Sequence, residues 1–437
     1  MDSYAVPRIT QTEEPLIWGS NKNGLVDPNL HELFVKTPIP LKTINGTVND
    51  ITLAENHAAA IDSNGDVYQW GNCESNKGAP QCTMKNMKAK QLASNSKYVF
   101  ALAEDVISAG EHHIVALTSK GRVFTGALNE YGNYFGQLGN GIEEPRNENI
   151  FTLKDQFADK PRHYQLDLGH LEDIVPFSVR QEGMLKTYRY EQPELISAKK
   201  YLDEIKMGET KFKTTTKIID ISCGDFHTMA LDSEGRVFGF GSNHHLQLGK
   251  GDYYKNPVPF LSSPEEITKF WPGNRKPQNS RVTKIAAGGL NSMVVVDSPE
   301  NSKLFVLGSG MLGQLGNKSW QQHAIVPESV ADVSDKFQYD EKIKDTRPIR
   351  IKQISCGGGH MACVLDTQND GSTIGDQLYI WGYNKDYQLG NGKRRNFNSP
   401  TSVLLCDERQ SCLPLQLKRF QNKTQQIICG YNTSAII

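Results

Sequence analysis

The chain has 437 residues, with 48 Lys+Arg against 49 Asp+Glu and a formal net charge of −1. That balance argues against a polyanion binder, whose affinity grows with the phosphates it neutralises, so no DNA binding is expected. No apolar run approaches the roughly 18 residues of a helical membrane span, and the 38 glycines, about 9% against a background near 7%, point to a turn-rich β protein.

The start, Met1-Asp-Ser-Tyr-Ala-Val-Pro-Arg8, has neither the apolar core of a secretory signal nor the Arg/Ser-rich pattern of an organellar presequence. The first structured segment is Leu16-Ile-Trp-Gly19, a short strand closed by glycine. Ile51 to Asp62 then reads as two apolar strands around a polar turn, followed by Gly65-Asp-Val-Tyr-Gln-Trp-Gly71, a turn feeding a third strand. Gln91 to Ala103 is a degenerate copy of the first string, and Ile107 to Thr118 with Gly121-Arg-Val-Phe124 is a fuller one. Further copies begin at Ile221-Ser-Cys-Gly-Asp-Phe-His-Thr-Met-Ala-Leu-Asp232, Ile285 to Val296 and Ile354 to Leu365, and the chain ends on a first-half string, Ile427 to Ile437. The second string recurs as Gly235-Arg-Val-Phe-Gly-Phe-Gly241, Leu304 to Gly308 and Leu378-Tyr-Ile-Trp-Gly382. Four copies lead into Gln-Leu-Gly, at Gln137, Gln247, Gln314 and Gln388.

No such unit buries its apolar face alone, whereas units stacked around an axis bury each other's faces. The sequence therefore predicts an all-β, seven-bladed β-propeller. The phase of the two ends predicts that Leu16–Gly19 and Ile427–Ile437 share one blade, which closes the ring and removes its open edge. The propeller repeats are assigned to residues 15–141 and 217–437, and 142–216 to an insertion.

One repeat position is occupied by His57, Tyr98, His113, His227, Asn291, His360 and Thr433. The step from Tyr98 to His113 is too short for a blade, so that blade is degenerate or a segment near 105/106 is missing. Because the histidines occupy one position in separate blades, they are read as hydrogen-bonding partners of neighbouring backbone and not as a metal or catalytic cluster. Gly224, Gly288, Gly357 and Gly430 share a second position and permit close strand approach. Cys223, Cys356 and Cys429 share a third and read as small packing residues. The eight cysteines include no CxxC and no zinc-like Cys/His spacing, and no disulfide framework is expected, which suggests an intracellular, reducing site. Sequons at Asn45, Asn317, Asn422 and Asn432 are read as chance.

Within the insertion, residues 193–207 predict a helix. Leu195, Ala198, Leu202 and Ile205 share one face, Pro193 starts it and Gly208 stops it. Either the helix packs on the propeller's outer face, or its apolar stripe docks a partner, or the segment is disordered. Lys393-Arg394-Arg395, the one tight basic run, is either a solvated loop or a contact for an acidic partner. Gly308-Ser-Gly-Met-Leu-Gly313 matches a dinucleotide-binding pattern in spacing alone, since no helix start follows it. No catalytic, cofactor or metal constellation is found.

The Cys-Gly-x-x-His, Gly-x-Val-aromatic-x-aromatic-Gly and Gln-Leu-Gly strings resemble the regulator-of-chromosome-condensation (RCC) repeat over nearly the whole chain outside the insertion. The resemblance implies a propeller. For function it implies a monomeric, non-enzymatic protein-binding scaffold, because this fold serves many roles. The degenerate repeats, neutral charge and long insertion look most like fungal and animal mitochondrial members, associated with biogenesis of respiratory complexes or mitochondrial ribosomes. The alternative that the resemblance carries is a guanine-nucleotide exchange factor for a small GTPase.

Overall fold

The computed structural model describes residues 14–437 except 43, 45–46, 73–79, 86–87, 103–105, 129–130, 142–161, 167–182, 189–201, 252–255, 272, 274, 325–326, 328, 368–374, 408–410, 418 and 421–422. At 162–166, 183–188, 202–206, 419–420 and 423–424 it describes backbone alone. The protein is an all-β propeller. Among the described residues, six sheets have three or more strands. Sheet I contains Phe34–Pro40, Leu16–Ser20, Thr433–Ile436 and Ile427–Cys429; sheet II is Val48–Leu53, His57–Asp62, Val67–Gly71 and Gln81–Met84. Sheet IV is Ile218–Cys223, His227–Asp232, Val237–Ser242 and Phe260–Glu266, and sheet V is Arg281–Gly288, Asn291–Asp297 and Ser302–Gly308. Sheet VI runs Ile351–Cys356, His360–Leu365, Asp376–Gly382 and Phe397–Ser402, with Gln416–Leu417 also on its third strand. Neighbours in each meander are antiparallel.

Burial follows position within a sheet. First strands alternate, as in Ile218–Cys223, because they border the axial cavity, which leaves part of each strand uncovered. Second strands are buried at every residue, as in His227–Asp232 and His360–Leu365, because sheets stack on both faces. The ring closes in sheet I, where Leu16 pairs with Ile436 and Gly19 with Thr433.

The first strands are also stitched to one another by side-chain oxygens that accept the next strand's N–H groups. Asp50 accepts from Leu92 at 2.6 Å, Gln91 from Ile107 at 3.0 Å and Ser108 from Cys223 at 2.9 Å. Ser222 accepts from Ala287 at 2.8 Å and Ser355 from Cys429 at 2.8 Å. These bonds satisfy N–H groups that a parallel neighbour at the crowded axis would otherwise leave unpaired.

Sheet III departs from the repeat. Its eight strands run Gln91–Ser94, Tyr98–Leu102, Arg162–Leu166, Gly183–Tyr188, Leu202–Thr210, Val123–Ala127, His113–Leu117 and Val106–Ala109. Tyr98–Leu102 is followed in space by Arg162–Leu166, which lies parallel to it. The helix expected over 193–207 is corrected here: Leu202–Thr210 is a strand, while 193–201, with Leu195 and Ala198, lie outside the described residues. Thr210, Glu209 and Gly208 pair with Val123, Phe124 and Thr125, and Leu202 to Met207 pair with Tyr188 back to Gly183. Two flanking strand edges outweigh a helix propensity worth at most tenths of a kcal/mol per residue. Gly208, read as a helix stop, is a strand residue, and Leu202–Thr210 fills the outer-strand place that the sequence reading gave to the insertion. Glu209 is clamped by Arg122 Nε at 3.2 Å and Lys211 Nζ at 2.6 Å, which holds its carboxyl below the usual range against the opposing effect of burial.

A second difference is a disulfide, Cys406–Cys412, between directly opposed residues of the hairpin Leu404–Cys406 and Cys412–Pro414, with Cα atoms 4.0 Å apart. The spacing hid it because the pair forms only when the hairpin folds into this register.

Candidate partner-binding face

In each antiparallel meander the turn after the first strand and the loop after the third lie at the same end. In sheet IV, Cys223 pairs with Thr228 and His227 with Gly241, so Gly224–Phe226 and the loop beginning at Ser242 emerge together. All the repeats thus present these two loops on one face.

The Gln-Leu-Gly motif makes the larger loop rigid. The glutamine oxygen accepts the N–H two residues before it, in Phe135, His245, Leu312 and Asp386, at 2.7 to 3.0 Å. The leucines, Leu138, Leu248, Leu315 and Leu389, are buried. The glycine at 316, with φ +66°, sits against the Trp381 indole of the next sheet, where a Cβ would lie 2.8 Å from Nε1; Gly390 sits likewise against Trp18. Those indoles donate to the carbonyls of Gln314 and Gln388, each at 2.8 Å.

Three of the four histidines reach hydroxyls of the next sheet, and at His227 the backbone of Asn291 contributes as well, as the sequence suggested. Nε2 of His113 lies 2.9 Å from Thr228 Oγ1, that of His227 2.9 Å from Ser292 Oγ, and that of His360 2.8 Å from Ser434 Oγ. Ser434 donates its own hydrogen to Gln388 O, so it accepts from His360. Burial holds all three imidazoles down at about 3, so they are neutral at physiological pH. His57 is buried in the same strand position. Gly224 and Gly357 pack beneath the rings of His227 and His360, Gly288 lies against Cys356 O and Gly430 against Leu53. The thiols of Cys223 and Cys429 are pushed up to about 12 by burial, which suits packing and not nucleophilic attack.

Around the axis, a cavity of about 280 Å³ is lined by first strands and their turns, including Ser94, Ser108, Cys223, Ala287, Cys356 and Cys429. Its mouth carries Glu55, Glu111, Asp225 and Tyr431. Burial, reinforced by Glu111, pushes the Asp225 carboxyl up to about 7. Burial likewise raises the Tyr431 phenol, and the carboxylates add to it. Outward from the mouth, rings form a continuous belt. His112 stacks on Phe226 at 4.7 Å, Phe135 meets Phe226 at 5.7 Å and His244 at 4.9 Å, and Tyr134 meets Phe135 at 4.9 Å. The loops of this face also hold most of the large apolar side chains exposed among the described residues, among them Leu33 at 60%, Tyr134 at 55%, Met311 at 64% and Trp320 at 54%. Apart from the basic run at 393–395, sequence reasoning missed this face, because the exposure of its residues is decided by how the loops of separate repeats turn to one end.

Of the sequence-predicted partner residues, Lys393, Arg394 and Arg395 lie exposed on this face, after the third strand of sheet VI. Leu202 and Ile205 lie in the outer part of sheet III, away from it in the fold's topology. Among the described residues no group of three His, Cys, Asp or Glu side chains is placed to hold a metal ion, and no helix is long and apolar enough to cross a membrane.

Comparison with known proteins matches the regulator of chromosome condensation (RCC1) repeat at residues 218–247, 234–295 and 376–437. The chain is 30% identical over 46% of its length to "RCC1 domain-containing protein RUG3, mitochondrial" of Arabidopsis thaliana, covering 37% of that protein. It is 23% identical over 82% of its length to human "Regulator of chromosome condensation", covering 65%. The chain thus spans less than two thirds of either relative. The crystal structure of Prp20p from Saccharomyces cerevisiae, described with its binding to Gsp1p and histones, superposes with a TM-score of 0.56 at 15% identity, covering 97% of this chain and 90% of that one. That likeness establishes the fold alone.

Proposed function

The chain carries RCC1 repeats, and from that premise we propose that it is a non-enzymatic, protein-binding propeller of seven blades acting as an assembly or biogenesis factor in mitochondria, for a respiratory complex or the mitochondrial ribosome. Counting sheet III as two blades supports the number seven, since its strands Gln91–Ser94 and Val106–Ala109 both border the axial cavity as the first strands of other sheets do. The observation that carries the binding role is the concentration of exposed Leu33, Tyr134, Met311 and Trp320 on rigid loops of one face. Single exposed apolar residues are ordinary, but their collection on loops of sheets I, III and V, all on one face, suits a broad interaction surface. The mitochondrial setting is supported by the relative named as mitochondrial.

The test is affinity purification of the tagged full chain from mitochondria and from cytosol, beside a Met311→Asp/Trp320→Asp variant. The expected result is mitochondrial complex or ribosomal subunits captured by the wild type and lost by the variant at unchanged melting temperature. Partners retained by the variant would remove the face from consideration. Accelerated release of fluorescent nucleotide from a small GTPase, without subunit capture, would replace assembly by nucleotide exchange.

A further inference from the structure

The loop face is electrically divided. Its axis carries Glu55, Glu111 and Asp225, whereas the rim where sheet I meets sheet VI carries Lys22, Lys36, Lys385, Lys393, Arg394 and Arg395, all exposed. Among the described residues only one acid pairs with any of these cations: Asp386 lies 3.7 Å from Lys22 Nζ.

The cations are also held in place. Buried Asn384 donates from Nδ2 to the carbonyls of Lys393, at 2.5 Å, and Arg395, at 3.1 Å, which fixes the backbone of the basic run. Gly392 N donates to Lys36 O at 3.2 Å and ties that run to sheet I. Arg394 donates from Nε to Lys385 O at 2.6 Å, and its guanidinium lies 4.6 Å from the Phe34 ring centroid and 5.9 Å from that of Tyr387. Lys36 Nζ lies 6.0 Å from the Tyr387 centroid, and the Arg395 guanidinium 4.9 Å from that of Phe397. Rings supply attraction without neutralising charge, so these heads remain available to an anionic ligand. A stacked guanidinium is preorganised for two-pronged binding of a carboxylate, at a lower entropic cost than a free lysine.

We propose that this rim docks an acidic polypeptide segment with interleaved apolar residues, carried by the protein partner. The proposal rests on the protein-binding reading of the face. Charge complementarity selects the acidic character. The apolar component follows from Leu33 beside Phe34, 60% exposed, and Leu30, 38% exposed. A polypeptide is favoured over RNA because this group of six cations is gathered on one rim, Lys250 and Lys318 of other loops being paired with Glu265 and Asp332, and a phosphate backbone continuing toward the axis meets three carboxylates instead of a basic track.

The test uses the purified full chain and a fluorescein-labelled peptide of repeating Asp-Leu-Glu units, beside an oligouridylate of equal charge, at low and high salt. The peptide is expected to bind, to weaken with salt, and to lose about tenfold or more in affinity in Arg394→Glu and in Lys393→Glu. Lys393→Glu guards against a folding artefact, since the Lys393 side chain makes no hydrogen bond or ion pair among the described residues and its variant should melt as the wild type does. No peptide binding at low salt, or binding unchanged by both variants, overturns the proposal. Tighter binding of the oligouridylate makes the rim a nucleic-acid surface instead, and a concentration-dependent dimer broken by Arg394→Glu makes its occupant a second copy of this chain; either overturns it. If both variants still capture the mitochondrial partner while the peptide fails, the protein-binding face survives and only the rim's role falls.

Discussion

Sheets IV and VI and the first half of sheet III, Gln91–Leu102, are built from the same repeat, yet they hold together differently. In sheets IV and VI a glycine lies under a histidine whose Nε2 reaches a hydroxyl in the next sheet. In the first half of sheet III, Tyr98 stands in the histidine position and Asn95 in the glycine position, whereas its second half keeps the device, with Gly110 under His113 and His113 Nε2 2.9 Å from Thr228 Oγ1. The Asn95 side chain bridges instead: Nδ2 donates to Glu111 O at 3.0 Å and Gly110 O at 3.3 Å, while Oδ1 accepts from Lys97 and Tyr98. One device was lost as a unit and another took its place. The outer strands show the same substitution at larger scale, with Arg162–Leu166 and Leu202–Thr210 arriving from a distant stretch to cover edges that the local repeat leaves open. The junction between blades, and not the blade, is therefore the unit that the sequence must satisfy.

The largest expected effect tests the junction that local chain continuity supports least. Sheet I is joined by strands from opposite ends of the chain, and Ile427–Cys429 and Thr433–Ile436 are its inner pair. Deleting residues 427–437 bares the edges of Leu16–Ser20 and of the neighbouring first strands. The truncated protein should be insoluble or melt without cooperativity in calorimetry. A sharp, cooperative transition would mean that closure is dispensable.

Next in size is a reciprocal exchange between the two kinds of junction. At Gly224 a Cβ would overlap the His227 ring and lie 2.8 Å from Gly289 O. Gly224→Ala should therefore cost about 1–3 kcal/mol by overpacking. Asn95→Gly, which removes two bonds to carbonyls of the turn after Val106–Ala109, should cost about 1–3 kcal/mol by leaving acceptors at the crowded junction unpaired. Urea denaturation measures both. A neutral Asn95→Gly would show that the bridge is incidental and that sheet III is simply looser.

A smaller, sharper test is a double-mutant cycle on His227 and Ser292. The two should couple by about 1 kcal/mol, because each single change strands a buried polar partner. Additive effects would reduce the histidine to packing.

This pairing rule was legible in the sequence once the register was known. His113, His227 and His360 are each followed in the next repeat by Thr228, Ser292 or Ser434, just after the repeat position. Where that position holds Tyr98, Asn291 or Thr433, the next repeat offers apolar Ile114, Met361 or Ala58. His57, followed by Val99, is the exception and falls at the entry to sheet III. The propeller and its terminal closure were legible for the same reason, since both follow from recurrence. The strand Leu202–Thr210 was not, because its state is decided by the edge of Val123–Ala127 and not by its own spacing. The partner-binding face was also hidden, although Tyr134 and Met311 both stand three residues before a Gln-Leu-Gly glutamine, because their exposure on one face follows from antiparallel meanders turning these loops to one end.

The smallest expected effect lies at the axial mouth, where Glu111 of sheet III faces Asp225 of sheet IV. Burial, with Glu111 adding repulsion, raises the Asp225 carboxyl from 3.8 to about 7 in the folded protein. Between those values the folded state holds a proton that the unfolded chain has released, so stability falls as pH rises and the loss is complete above about 7. The buried histidines act in the opposite direction. Their values drop from 6.5 to about 3 on folding, so the unfolded chain binds more protons and stability is lost as pH falls through that window. The opposing slopes partly cancel in the wild type, which makes the carboxylate visible only by difference. Asp225→Asn removes the ionisation cost while keeping a polar group of the same size. It should raise the melting temperature by about 2–4 °C at pH 8 and leave it unchanged near pH 4, where the wild-type carboxyl is already protonated. The variant's stability should consequently depend more steeply on acid than the wild type's, since one of the buried carboxyls that oppose the histidines is gone, while Asp50 and Asp220, both raised by burial to about 6, are common to both proteins. A gain of equal size at both pH values would assign the effect to packing in the turn, and no gain at pH 8 would mean that solvent at the mouth already relieves the charge.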